Sequence, residues 1–243
     1  MSNEIVKEKM FEKSEIEQTI QNKDGETVTS FTDPDKQAEV GFTNEKVPEE
    51  KVGFLNPDFG SIMVSQLLSD KQCDLLVKSL DDTLWQEGKI QGGFASDNTI
   101  KTEKIRSVKQ QGLPMNVEGW PHKLIDNFAK QVNTQKTKFN ILGFFNNDLP
   151  VVAKYEPGDY YDWHIDCGRD SSNRKLSFTI NLTDPKDYDG GDIEFLGVTT
   201  NKEAIRKKGA ITIFPSFLTH RVTKIERGKR LAIVGWIHGD TFK

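Results

Sequence analysis

The spacing of apolar and polar residues changes twice along this chain of 243 residues. Through residue 51 the apolar side chains stand singly among Glu, Lys, Thr and Asn, as in "KEKMFEKSEIEQTIQNKDGETVTSF". Such a segment buries too little apolar surface to offset its ordering entropy, so residues 1–51 are expected to form a flexible polar tail. Ile5, Met10, Ile16 and Ile20 are too irregularly spaced for a firm helical stripe and allow only a transient helix. The alternative is a segment that orders on contact with a partner.

From Val52 the apolar residues gather into periodic runs, and a folded domain over 52–243 is expected. Ser69 is a good N-cap, and Gln72 completes a capping box. Leu75, Leu76, Leu80 and Trp85 carry that first helix toward the glycines of "EGKIQGG". A second helix is predicted across "VEGWPHKLIDNFAKQVNTQ", with Trp120, Leu124, Ile125, Phe128 and Val132 on one face. His122 falls outside that stripe and reads as a surface residue.

Beyond about residue 150 the period drops toward two. "VVAKYEP", "KLSFTINL", "DIEFLG", "AITIFP" and "KRLAIVGWIHG" read as short strands, divided by turn clusters such as "DYDGGD" and "ERGK". Helices followed by many short strands predict an α+β, mainly β fold: a jelly-roll core over 151–238, backed by helices within 52–150.

Composition narrows the partners. The net charge of −4 offers no basic field, so nucleic acid is not an obligatory partner. Cys73 and Cys167 are far apart and make neither a disulfide framework nor a zinc ribbon. No apolar run reaches the ~20 residues of a membrane span, and the first residues lack a signal-peptide core. A cytoplasmic protein with no membrane partner is expected.

Candidate chemistry begins in "YYDWHIDCGRD". On a strand, His164 and Asp166 would point the same way and could meet one ion, with Ile165 and Cys167 facing the opposite side. His220, in "FPSFLTHRV", falls where a strand would start at a barrel rim and is the candidate third ligand; His238 reads as a strand-end polar residue. Two His and one carboxylate with open positions suit non-haem Fe(II) oxygenases, and zinc hydrolases use the same donors. In the last strand Arg230 shares a face with Ala232, Val234 and Trp236. An arginine fork there would suit a carboxylate, so a metal with a deeper anchor describes a dicarboxylate co-substrate. The competing reading leaves Arg230 solvated within "ERGKR".

These residues carry a family resemblance. From about Pro57 onward the chain resembles the prolyl 4-hydroxylase-like 2-oxoglutarate/Fe(II) dioxygenases, including small bacterial and phage members. The motifs are "YEPGDYYDWHID", "DYDGGDIEF" and "HRVTKIERGKRLAIVGW". The resemblance implies a double-stranded β-helix fold. It implies iron ligation by His164, Asp166 and His220. Tyr155, nine residues before His164, and Arg230, ten after His220, would bind 2-oxoglutarate, and Trp236 matches six residues further on. Collagen-type members carry Thr two residues after the Gly-Gly pair; Ile193 stands here, which points away from a collagen-like proline.

The activity so implied is hydroxylation of a substrate C–H bond using Fe(II), 2-oxoglutarate and O2, with release of succinate and CO2 and with ascorbate as reductant. The substrate would be a peptidyl proline or lysine, or a small molecule such as an amino acid, and least of all a nucleobase. The loops "GLPMNVEGWP" and "FFNNDLP" would set that choice. Tyr160, Tyr161, Trp163 and Phe178 are candidate pocket residues, though aromatic residues in a small barrel are more often core. Two other classes compete: a metal hydrolase on a cupin-like barrel, and a non-catalytic metal-binding jelly-roll module in a scaffold or virion.

Overall fold

The computed structural model describes side chains over residues 62–88, 106–114, 119–168 and 171–241, and the backbone of four strands before residue 62. The chain divides into two compact units, residues 1–48 with 115–125, and residues 49–114 with 126–243.

In the first unit, β1 (Glu17–Gln21), β2 (Thr27–Thr32) and β3 (Glu39–Phe42) form an antiparallel sheet in that order. The register pairs Glu17 with Phe31 and Thr29 with Phe42. This sheet lies within the span read from the sequence as a polar tail. The β-branched run Thr27-Val28-Thr29 favours extended backbone, and the Asp24-Gly25 pair between β1 and β2 is a hairpin signal. Of the transient helix, residues 1–16 lie outside the described residues, and Ile20 sits in β1.

The second unit opens with β4 (Gly53–Phe54), β5 (Met63–Gln66) and helix α1 (Asp70–Lys78). Next come β6 (Gln86–Glu87), β7 (Arg106–Ser107) and β8 (Lys109–Gly112). Helix α2 (Trp120–Val132) runs from one unit into the other along the sequence. Then follow β9 (Ile141–Gly143), β10 (Val151–Tyr155), β11 (Tyr160–His164), β12 (Arg174–Asn181), β13 (Tyr188–Gly190) and β14 (Ile193–Phe195). Helix α3 (Lys202–Arg206) precedes β15 (Ala210–Pro215), β16 (His220–Val222), β17 (Ile225–Gly228) and β18 (Arg230–Gly239).

The major sheet runs β4-β5-β15-β12-β18-β10-β8-β6, with β9 added to the end of β18. A four-stranded sheet runs β14-β16-β11-β7, and β13 pairs with β17. All pairings are antiparallel, and residues of both larger sheets line one cavity of about 890 Å³. This is the jelly roll expected from the alternating runs. The span before residue 150 is less helical than expected, because β5, β6, β8 and β9 also join the major sheet.

β12 is buried along its whole length between β15 and β18. Its sequence "LSFTINL" alternates apolar with polar residues, so burial on both faces makes Ser177, Thr179 and Asn181 conspicuous as buried polar side chains. On one side Ile62, Val64, Ile193, Phe195, Ile205 and Phe214 form a core cluster; on another Val108, Ala153, Tyr155, Tyr188 and Ile225 form a second.

Helix α1 has the expected capping box: Ser69 Oγ accepts from Gln72 N, and Gln72 Oε1 accepts from Ser69 N. It is shorter than its apolar spacing implies and ends at Lys78. Asp81 Oδ1 accepts from both the backbone and the hydroxyl of Thr83, a local turn that competes with helix and leaves Leu80 and Trp85 outside. In α2, His122 is buried rather than exposed. Its spacing to Ile125 and Ala129, both buried, puts it on a widened apolar face. Burial pushes its imidazole down to about 4.

The Gly-Gly turn after β13 is a steric requirement. Gly190 and Gly191 have φ of +75° and +63°, and a Cβ on Gly190 would lie 2.0 Å from the carbonyl oxygen of Lys224.

Candidate active site

Strand β11 ends at His164, and its pairing with β16 carries a bulge between Tyr161 and His164. Asp166 therefore sits in a bend beyond the strand rather than on it. The backbone N–H groups of Asp166 and Cys167 both donate to Ser216 O, which ties the bend to the end of β15. The two-residue alternation expected for His164 and Asp166 is replaced by this tether. Ile165 and Cys167 consequently line the cavity instead of facing away from it.

His164 and His220 are register partners across β11 and β16. Their rings lie 4.2 Å apart between centroids. One donor atom from each of His164, Asp166 and His220 lies within 4.8 Å of the others. His164 Nε2 is 3.7 Å from Asp166 Oδ1, and His220 Nε2 is 3.5 Å from Asp166 Oδ2. The opposite ring nitrogens fix the tautomers. His164 Nδ1 is 2.7 Å from Asp162 O, and His220 Nδ1 is 2.8 Å from Leu218 O. A carbonyl only accepts, so each Nδ1 carries the proton and each Nε2 turns a lone pair toward the carboxylate. Two lone pairs and a carboxylate converging without a proton between them repel unless a cation sits among them.

The electrostatics agree. Burial, then the neighbouring His220, push the His164 imidazole down to about 4. Burial alone would raise the Asp166 carboxyl, but His220, His164, and hydrogen bonds from Ser177 and Trp236 outweigh it and hold it below the usual carboxylate range. His164 is therefore a neutral imidazole and Asp166 a carboxylate at neutral pH, and with His220 Nε2 they make a donor set suited to a divalent metal.

Arg230 begins β18 and is 4% exposed, so it is no solvated member of "ERGKR". It faces Tyr155 across the β10–β18 pairing, with its guanidinium 5.5 Å from the phenol ring centroid. Among the described residues no carboxylate pairs with it. A buried guanidinium that opens into a cavity is an anion site, because burying it without a counter-charge is costly. Tyr155 is buried beside it, and burial raises its phenol, which stays protonated. Trp236 also lines the cavity, where the Arg174 guanidinium lies 3.5 Å from its ring centroid. The chain thus supplies a metal donor set and a carboxylate anchor within one cavity, which fits Fe(II) with 2-oxoglutarate.

Several neighbours escaped the sequence reading. Ser177 Oγ donates to Asp166 Oδ2 at 2.6 Å and hydrogen-bonds Ser216 Oγ at 2.9 Å. Its signal was a hydroxyl in a wholly buried strand. Arg174 donates through Nε and Nη2 to the two carboxylate oxygens of Asp148, at 2.7 and 2.8 Å, and Asp148 also meets His238 Nε2 at 2.9 Å. His238 is fully buried, not merely strand-end. Tyr161, Trp163 and Phe178 line the cavity; Tyr160 does not. Asn146, Asn147, Asp148 and Leu149 line it too, as expected of the "FFNNDLP" loop. Of the other loop, Gly112 lines the cavity, and residues 115–118 lie outside the described residues.

Known proteins resemble this chain in sequence and in fold. Residues 150–238 match the family described as the 2OG-Fe(II) oxygenase superfamily. A PKHD-type hydroxylase of Prochlorococcus marinus (strain MIT 9312) is 31% identical over 182 residues, covering 73% of this chain and 77% of that one. A PKHD-type hydroxylase of Hyphomonas neptunium (strain ATCC 15444) is 37% identical over 191 residues, covering 72% and 77%. The crystal structure of a Pseudomonas putida prolyl-4-hydroxylase is similar in fold, with a TM-score of 0.52 at 20% identity over 72% of this chain and 90% of that one. Fold and family together define a jelly-roll hydroxylase dependent on 2-oxoglutarate. The chain belongs to the 2OG-Fe(II) oxygenase superfamily, and Fe(II), 2-oxoglutarate and O2 are the cofactor and co-substrates that membership implies. The metal-hydrolase and non-catalytic alternatives give way to that class.

Proposed function

We propose that His164, Asp166 and His220 hold Fe(II), that Arg230 with Tyr155 fixes the far carboxylate of 2-oxoglutarate, and that the enzyme hydroxylates a peptide side chain, proline or lysine. The catalytic domain is residues 52–243, with the jelly-roll core at 151–238. When bound, iron with 2-oxoglutarate and O2 supplies the oxidation that converts a C–H bond to C–OH and releases succinate and CO2; ascorbate keeps the metal reduced. The chain's own part is placement. Nδ1 bonds to Asp162 O and Leu218 O aim the two Nε2 atoms. Ser177 holds one oxygen of Asp166. Trp236 closes the cavity beside Arg174, and the buried phenol of Tyr155 packs against the anchoring guanidinium.

The carrying observation is the convergence of two lone-pair nitrogens and a carboxylate in one cavity with a buried arginine that has no carboxylate partner among the described residues. A peptide is favoured by the rim. Leu84, Trp163 and Ile165 are exposed there and give apolar contact, while Gln86, Gln110, Asn146 and Asn147 offer amides that match a peptide backbone. The related prolyl-4-hydroxylase is named for a proline substrate, which agrees with this choice.

The test is succinate release from purified protein given Fe(II), ascorbate and 2-oxoglutarate, without and then with O2. Oxygen-dependent succinate that disappears in His220→Ala, and that proline- or lysine-containing peptides stimulate, supports the proposal. Succinate release that survives His220→Ala would sink the ligand assignment, and stimulation by free amino acids alone would sink the peptide.

A further inference from the structure

The two imidazoles are held in different ways. His220 is 5% exposed and caged by core rings, with Phe214 edge-on at 4.7 Å and Phe195 at 6.0 Å. His164 lies at the mouth, and its ring is covered by Tyr161, parallel within 10° at 3.5 Å between centroids. Residues three apart on a regular strand point to opposite faces. The bulge between Tyr161 and His164 supplies the extra residue that returns them to one side. A Nδ1 hydrogen bond, the tilted His220 ring and this parallel stack restrain the His164 ring, and of the two ring contacts the stack is the one that runs parallel to its plane.

Tyr161 is held in turn from β7. Arg106 is its register partner, and the Arg106 guanidinium lies 4.7 Å from the Tyr161 ring centroid. The imidazole fills one face of the phenol ring, so the guanidinium takes the other. Strand β7 is pinned by the next residue, Ser107, whose Oγ donates to Asp159 Oδ1; Asp159 Oδ2 accepts from Glu156 N in the turn before β11. A face-to-face stack of two electron-rich rings is not the arrangement aromatic pairs prefer. A cation on the outer face of the phenol holds that ring by cation–π attraction. An imidazole that donates its lone pair to a divalent ion is electron-poor and stacks better on a phenol.

We infer that Arg106 is a positioning residue of the metal centre: acting through Tyr161, it fixes the plane of the His164 imidazole and so sets how tightly the mouth-side ligand holds the ion. This rests on the proposed role of His164 as a ligand.

The experiment measures Mn(II) dissociation constants of the full chain by calorimetry, together with the visible absorption band formed on adding Fe(II) and 2-oxoglutarate without O2. Thermal midpoints establish that each variant is folded. Arg106→Ala is expected to weaken Mn(II) binding about 10- to 100-fold, the usual range for outer partners of metal ligands, and to shift the band. Arg106→Gln, equally long but uncharged, should behave the same way, and Arg106→Lys should recover part of the affinity. Tyr161→Phe keeps the stack and should bind nearly as wild type; Tyr161→Leu should match Arg106→Ala. The double variant Arg106→Ala/Tyr161→Leu should be no weaker than Tyr161→Leu alone, since one acts through the other. Wild-type affinity in folded Arg106→Ala and Arg106→Gln would overturn the inference, as would additive losses in the double variant. His164→Ala separates the two levels: unchanged Mn(II) affinity there would remove the ligand itself.

Discussion

Ser177, in the middle of β12, and Asp166, in the bend beyond β11, share a 2.6 Å hydrogen bond, so the buried hydroxyl of β12 sets which carboxylate lone pairs face His164 and His220. Ser177→Ala removes that donor and leaves a buried carboxylate oxygen short of a partner. Metal affinity should fall about 10- to 100-fold with little change in 2-oxoglutarate KM at saturating metal. Equilibrium dialysis with Fe(II) under argon checks the first, and initial rates check the second.

Arg230 has Tyr155 as its described contact and faces a cavity. Losing a charged hydrogen bond costs about 1.5–3 kcal/mol, so Arg230→Ala should raise 2-oxoglutarate KM by about 10- to 100-fold. Arg230→Lys keeps the charge but not the fork and should fall between. Succinate formation against 2-oxoglutarate concentration reads both.

Asp148 joins the cavity loop to β12 through Arg174 and to β18 through His238. Arg174 Nη1 also reaches Asp166 O at 3.4 Å. Asp148→Ala strips a buried guanidinium of its carboxylate and should destabilise the fold by about 3 kcal/mol. Urea unfolding measures it; a loss below about 1 kcal/mol would mean the pair is solvated in solution.

Gly191 leaves room for the Arg230 side chain. A Cβ there would lie 2.4 Å from Ile225 Cδ1 and 3.2 Å from Arg230 Cδ, at a positive φ. Gly191→Ala should cost about 2 kcal/mol and also raise 2-oxoglutarate KM, whereas a purely structural glycine would change stability alone.

His122 makes stability depend on pH. Its folded-state pKa of about 4 lies below the ordinary imidazole value near 6.5, so the fold holds the neutral imidazole. That contribution is complete above about pH 6.5 and is lost as pH falls toward 4. Between pH 7 and pH 5 it amounts to about 2 kcal/mol. Urea midpoints at the two pH values should differ by that much in the native chain and by much less in His122→Gln.

Legibility followed physical type. Alternating apolar runs located the principal strands, because one buried face leaves a two-residue rhythm. The Ser69–Gln72 cap was legible because capping is local. His164, Asp166, His220 and Arg230 were legible through motif spacing, and the structure gathers them in one cavity. The reason offered for His-x-Asp did not hold, since a bulge and the Ser216 tether, both long-range, replace simple alternation. The Asp148–Arg174 pair spans 26 residues and the Ser177–Asp166 bond 11, and neither leaves a periodic trace. The strands β1 to β3 leave little trace in the sequence, because their threonine-rich runs carry few apolar residues.

Strand β18 works as a ruler. Arg230 and Trp236 stand six positions apart on it, about 20 Å at the rise of an extended chain. Strands β12 and β10 clamp it on either side, so that spacing cannot stretch. Inserting or deleting one residue between the two would turn one of them out of the cavity while leaving every side chain chemically intact. The enzyme's tolerance for change therefore has a parity: length variation belongs in the loops at either end of this strand, and only even changes within it would keep both side chains on the cavity face.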